Sequence, residues 1–97
     1  MKIKLTRRAV KNLSDIAAYL NEQNPHAASR VRKSIEESLQ YLTAFPMVGR
    51  AQTTKGVRKL VTRKYLYLVY YSLDFVSNEI VILSIRHPAR KRQHSDA

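Results

Sequence analysis

Apolar residues recur at intervals of three and four in the first half of the chain, and alternate or run together in the second half. Ala9, Leu13, Ile16, Ala17 and Leu20 make one stripe, and Ala28, Val31, Ile35, Leu39 and Leu42 make another. That spacing puts each set on one face of an α-helix. Thr6 stands where its hydroxyl can accept the free N–H groups of a first helical turn, and the first helix should end near Gln23. Asn24-Pro25 explains both the ending and the restart. A residue before proline is pushed out of the α region, and proline at the first helical position gives up only an N–H that had no partner. Asn24 is therefore the expected N-cap of a second helix, which Phe45-Pro46 stops. Two amphipathic helices joined so closely fold back as an antiparallel hairpin, whose apolar face needs cover.

The rest of the chain supplies that cover. Lys2–Leu5 alternates, with Ile3 and Leu5 inward and the two lysines outward, and reads as an edge strand. Gly49–Gly56, GRAQTTKG, reads as a polar loop. Three strands follow: Val57–Arg63, then Tyr65–Ser72, rich in tyrosine and large aliphatic residues, then Glu79–Arg86, the most apolar. Leu73–Asn78 turns the chain through Asp74, Ser77 and Asn78. On the last strand Val81, Leu83 and Ile85 form a purely aliphatic face that should pack on the hairpin, leaving the face that runs through Ser84 to Arg86 partly open. Tyr67, Val69 and Tyr71 share a face and are expected to serve as core or hairpin packing.

The expectation is an α+β fold: an N-terminal edge strand and an antiparallel helix hairpin packed on a small, mainly antiparallel β-sheet. One domain spans residues 1–97, with the strand at 1–5, the hairpin at 6–44, the three-stranded sheet at 57–87 and a flexible tail at 91–97.

Charge changes the picture most. Eighteen Lys and Arg against seven Asp and Glu give a net charge of +11, far beyond what solubility asks of so small a domain. The usual reasons to tolerate such self-repulsion are a polyanion, an acidic protein partner or a membrane surface. Neither helix carries the basic amphipathic face that the last requires. No apolar run approaches the ~20 residues of a membrane-spanning helix, and MKIKLTRRA places charges where a secretory signal would be apolar, so a cytoplasmic location is expected. The absence of cysteine excludes disulfides and thiolate metal sites.

Candidate chemistry is sparse. His26, His87 and His94 lack ligand spacing and a supporting carboxylate cluster, so no metal site is expected, and no glycine-rich phosphate loop or paired-carboxylate arrangement points to a cofactor or a hydrolase. What remains is a basic group, Arg58, Arg63, Lys64, Arg86, His87 and Arg90, interleaved with Tyr65, Tyr67, Tyr70 and Tyr71. Arginine and lysine neutralise phosphates and tyrosine stacks on bases, so this composition suits a nucleic-acid surface. It also suits a metal-free ribonuclease in which a histidine or tyrosine moves a proton while arginines stabilise phosphate charge. His87 can act as acid or base, or orient the loop after the last strand through backbone hydrogen bonds.

The order of elements, together with FPMVGR (45–50), GVRKLVTRKYLYLVYY (56–71) and IVILSIRHPAR (80–90), resembles the RelE/ParE toxins of type II toxin–antitoxin systems over nearly the whole chain, from Leu5 to Arg90. The resemblance implies a small toxin held inactive by an acidic, partly helical antitoxin, a partner that would account for the charge. Its RelE branch consists of metal-free nucleases that cleave mRNA in the ribosome. These use second-strand lysines, an arginine just before the Leu-Val-Tyr of the third strand, and an arginine and tyrosine near the C-terminus. Here Arg58 can stand for one lysine, but Leu60 sits where the next would alternate, Tyr67 replaces the arginine, and no tyrosine follows Tyr71.

The ParE branch is more similar, with a long hairpin, a Tyr-Leu-x-x-Tyr-Tyr-like strand matched from Tyr65 to Tyr71, and a His-x-x-Arg ending matched by His87 and Arg90. That branch implies inhibition of DNA gyrase without catalysis, the favoured expectation. Recognition of target or antitoxin then falls to Arg58, Arg63, Lys64, Arg86, His87 and Arg90. In a ribosome-dependent mRNA endonuclease, the alternative, Arg58, Arg86, His87 and Arg90 would act on phosphate and proton. A plain nucleic-acid-binding module is the third reading.

Overall fold

A computed structural model describes residues 1–88 of the chain. Its elements run β1 (Lys2–Leu5), α1 (Arg7–Gln23), α2 (Pro25–Ala44), β2 (Arg50–Ala51), β3 (Arg58–Val61), β4 (Leu68–Asp74) and β5 (Glu79–Arg86). Both helix starts are as expected. The Thr6 hydroxyl accepts from the Ala9 N–H at 3.1 Å, and the Asn24 side-chain oxygen accepts from His26 and Ala27 at 3.1 and 3.3 Å. Asn24 also ends α1, donating its own N–H to the Leu20 carbonyl, so one residue closes one helix and opens the next.

The strands form one mixed five-stranded sheet, ordered β1-β5-β4-β3-β2, in which only β1 and β5 run parallel. The expected polar loop at 49–56 thus contributes a short strand of its own. β2 pairs Arg50 with Lys59 and Ala51 with Arg58. Beyond the end of β1, helix α1 covers the open edge of β5. The Thr6 hydroxyl donates to the Leu83 carbonyl at 3.0 Å, and the Ile85 N–H donates to the Asn12 side chain at 2.9 Å. An edge that could pair with another chain is thereby closed by side chains.

The hairpin packs on one face of the sheet. Val31, Ile35, Leu39 and Leu42 of α2 and Ala9 and Ile16 of α1 meet Tyr67, Val69, Tyr71, Ile80, Ile82 and Ile85. The expected burial of Tyr67, Val69 and Tyr71 is observed. The expected face of β5 is not: Ile80 and Ile82 are fully buried, while Val81 and Leu83 are only partly so. A β-bulge is the reason. Tyr70 pairs with Ser84 but Tyr71 pairs with Ile82, so Leu83 is an extra residue that exchanges the two faces and returns Ile85 to the core.

The strand expected from Tyr65 begins instead at Leu68. Tyr65 and Leu66 have φ of 67° and 55°, which ends the strand pattern and makes a tight turn of the kind Asn-Gly favours. Thr62 organises this turn from beneath. Its buried hydroxyl donates to the Lys64 carbonyl at 2.7 Å and accepts from the Tyr67 N–H at 3.0 Å, and its N–H bonds the Tyr67 carbonyl. No helix among the described residues is long and apolar enough to cross a membrane. The expected tail at 91–97, like Arg90, lies outside the described residues.

Candidate recognition surfaces

Alternation along β3 sends neighbouring cations to opposite faces of the sheet. Arg58 pairs with Tyr71 and Leu60 with Val69, both on the hairpin side, whereas Lys59 pairs with Tyr70 on the outer side. Cross-strand partners share a face, so the buried tyrosine and valine fix where Arg58 and Leu60 point.

On the hairpin side, Arg58 is part of an internal clamp. Its Nη1 donates to the Met47 carbonyl at 3.1 Å and to the Gly49 carbonyl at 2.7 Å. The buried Tyr71 hydroxyl donates to the Pro46 carbonyl at 2.7 Å and accepts from the Gly49 N–H at 2.8 Å. Burial pushes the Tyr71 phenol above its ordinary pKa, while the Gly49 N–H and the Arg58 charge pull against that. Gly49 has no room for a side chain: a Cβ there would lie 2.5 Å from the Tyr71 hydroxyl oxygen and 2.6 Å from a ring carbon. The FPMVGR phrase is therefore a loop strapped to β3 and β4, and Arg58, expected among the recognition residues, has its guanidinium turned onto that loop.

The strapped loop displays apolar side chains. Phe45, Met47 and Val48 are exposed, and the Tyr41 and Phe45 rings lie 4.9 Å apart. Beside them a cleft of about 650 Å³ opens between α2 and β3, lined by Tyr41, Glu37, Leu60, Val61, Arg63 and Lys64, with Ser34 and Ser38. Arg63 and Lys64 reach it from the tight turn, which is docked on α2 where the Ser34 hydroxyl donates to the Lys64 carbonyl at 3.5 Å. The apolar Tyr65 and Leu66 sit exposed at the tip.

The outer face is chemically different. Lys59, Tyr70 and Ser84 form one row across β3, β4 and β5. Arg86, two residues beyond Ser84 on β5, lies with its guanidinium carbon 5.6 Å from the Tyr70 ring centroid, within cation–π range. Arg8 of α1 and the loop residues Gln52, Thr53 and Thr54 complete a groove of about 380 Å³. Sequence reasoning singled out Tyr70 and Arg86 but not Arg8 or Lys59, because only the register of β3 and the bulge in β5 bring these four together.

His87 belongs to neither groove. Its ring meets Tyr67 edge to face, centroids 5.1 Å apart at 85°, and Tyr67 is itself 2% exposed. The expected basic group is thus divided: Arg58 in the clamp, Arg63 and Lys64 at the cleft, Arg86 on the outer face, and His87 packed on the core. Among the described residues no set of three His, Cys, Asp or Glu side chains is placed to hold a metal ion.

A hairpin on one side of a mixed sheet, with β1 parallel to β5 at the edge, is the architecture of the RelE/ParE superfamily. The isolated RelE toxin of E. coli superposes with a TM-score of 0.70 over 98% of this chain and 92% of its own, at 15% identity. A chain of the chromosomal ParDE toxin–antitoxin system from P. aeruginosa matches more tightly, with a TM-score of 0.77, 27% identity, and coverage of 90% and 95% of the two chains. Y4kP of Sinorhizobium fredii, a candidate toxin by its name, is 33% identical over 86 residues, 89% of this chain and 86% of that protein. The family described as the ParE toxin of the type II toxin–antitoxin system parDE matches residues 3–92, and the chain belongs to it. It is a ParE-type toxin.

Proposed function

We propose that this toxin acts by binding and inhibiting DNA gyrase rather than by cleaving RNA, and that a cognate acidic antitoxin neutralises it. The observation that carries the first part is the state of the positions where a RelE-like nuclease would hold charge. Leu60 packs against the core, Tyr67 is buried with its ring against His87, and Arg58 is bonded to two loop carbonyls. General acid–base and phosphate-stabilising chemistry needs such groups presented to substrate. The membership in the ParE branch supports the same reading.

The second part rests on the rim of the cleft between α2 and β3. Exposed Tyr41, whose ring meets that of exposed Phe45, lines the cleft together with Leu60, Val61, Arg63 and Lys64, which combines an apolar anchor with positive charge, the surface that an acidic amphipathic segment covers. Recognition is assigned to Arg63 and Lys64 at the cleft, Arg86 on the outer face of the sheet and His87 beside Tyr67, with Arg58 holding the 45–49 loop. Brief expression followed by parallel assay of DNA and transcripts is the test. Accumulated gyrase-linked DNA breaks with intact mRNA are expected, whereas rapid ribosome-dependent mRNA cleavage would overturn the reading. An acidic protein encoded beside the toxin should co-purify with it and protect the cleft, and Phe45→Ser should weaken that complex.

A further inference from the structure

Turns between strands ordinarily carry polar residues or glycine, because they run over the surface and need special backbone angles. The turn between β4 and β5 departs from that. Between Asp74 and Asn78 it sets Phe75, 73% exposed, beside Val76, 98% exposed. Side chains so exposed contribute little to the fold, yet the turn is built to hold them. The Asp74 carboxylate accepts from the Ser77 N–H at 3.0 Å, and Asn78 has a φ of 57°. The Asn78 carbonyl accepts from the Lys2 N–H at 3.0 Å, which ties the turn to β1. Apolar residues presented on an ordered turn give up little conformational freedom when a partner buries them.

Charge at the base of the turn narrows the choice of partner. Asp74 and Glu79 pair across β4 and β5, and Lys2 continues that row on β1. The Lys4 charge also acts on the Asp74 carboxylate. Two carboxylates thus meet two ammonium groups here, in a chain whose net charge is +11. A nucleic acid or an anionic bilayer is drawn to uncompensated cations, and Asp74 and Glu79 would repel either. They would repel an acidic antitoxin as well, for which the cleft beside Arg63 and Lys64 is the complementary surface. The seven residues of β4 separate this turn from the Arg63-Lys64 turn by about 20 Å. An aromatic residue and a valine ringed by charges of both signs have the anatomy of a protein–protein contact centre, an apolar anchor within a polar rim.

On the reading that gyrase is the target, we infer that the β4–β5 turn is where the toxin docks on it, with Phe75 and Val76 entering an apolar socket, separate from the cleft that receives the antitoxin. The molecule measures 40 Å in its longest dimension, so an antitoxin on the cleft obstructs a large target by bulk without touching the turn.

The test measures binding of the full chain to purified gyrase and, separately, to the acidic protein that co-purifies with it. Phe75→Ser should weaken gyrase binding about thirtyfold or more, the loss of an aromatic anchor, and Val76→Ser should weaken it less. Antitoxin affinity and the thermal midpoint should stay unmoved in both. Phe45→Ser should do the reverse and weaken the antitoxin complex alone. Phe75→Leu keeps an apolar side chain and should retain most of the gyrase affinity, while Val10→Ser, at another exposed apolar position, should change neither complex. Unaltered gyrase binding in Phe75→Ser and Val76→Ser would overturn the docking point and leave the gyrase reading standing. Equal weakening of both complexes by Phe75→Ser would overturn it too, as would phosphatidylglycerol vesicles binding through Phe75 while gyrase binding is kept. Failure of the unsubstituted toxin to bind gyrase would instead sink the gyrase reading, and the docking point with it.

Discussion

Arg58 and Lys59 are adjacent in sequence and opposite in role. Arg58 is on the hairpin side, bonded to two carbonyls of the 45–49 loop, while Lys59 is on the outer side, opposite Tyr70 and without a carboxylate partner among the described residues. The same contrast runs across the whole sheet: one face uses a tyrosine and an arginine to hold backbone in place, and the other leaves a tyrosine and several cations facing outward. A charge that satisfies carbonyls inside the molecule, like that of Arg58, stabilises the fold, whereas the outward-facing Lys59 adds to the self-repulsion of a chain with a net charge of +11.

The contrast breaks most visibly at Gly49. Gly49→Ala forces a methyl group against the Tyr71 ring and should cost about 1–3 kcal/mol, read as a lower midpoint in urea. Adding Tyr71→Phe should not restore the loss, because a ring carbon as well as the hydroxyl lies in the way. A double variant as stable as Tyr71→Phe alone would assign the clash to the hydroxyl only.

A finer comparison uses the neighbouring cations. Arg58→Gln strips two charge-assisted hydrogen bonds and should destabilise by about 1.5–3 kcal/mol. Lys59→Gln, with the same change in net charge, should stay within about 0.5 kcal/mol. Equal effects on thermal unfolding would erase the proposed division of the two faces.

Next in size is the tight turn between β3 and β4. Leu66 has a positive φ at an exposed position, a conformation that costs an L-residue about 1–2 kcal/mol. Leu66→Gly relieves that but frees the unfolded chain, so a net gain of about 0.5–1 kcal/mol is expected in chemical denaturation.

The smallest effect belongs to the turn between β4 and β5, where the Asp74 carboxylate accepts from the Ser77 N–H at 3.0 Å. That bond holds its pKa below the ordinary aspartate range. The contribution is therefore complete above the unfolded-state pKa and disappears as pH falls through the lower folded value. A pH series of thermal midpoints for the protein and Asp74→Asn should show a difference near neutrality that closes in acid. A difference that persisted in strong acid would remove the carboxylate's charge from the account.

Much of the fold is legible because it is local. Thr6, Asn24-Pro25 and Phe45-Pro46 set the helix boundaries through caps and restricted backbone angles that act within a few residues. The stripes of both helices and the inward Tyr67, Val69 and Tyr71 follow from periodicity. The face of β5 misleads because periodicity assumes unbroken pairing, and the bulge at Leu83 breaks it. β2 escapes notice since two residues carry no period, and their pairing depends on β3. Tyr65-Leu66 reads as strand by composition, whereas Thr62 and its hydrogen bonds bend it into a turn.

By itself the sequence determined the helix hairpin, the family and the excess of positive charge, because caps, stripes and composition are properties of neighbouring residues. Only the tertiary structure decided where that charge acts. Strand register and one inserted residue place Arg58 beneath a loop and gather Lys59, Arg86 and Arg8 around Tyr70, and both are fixed by pairing between segments far apart in the chain.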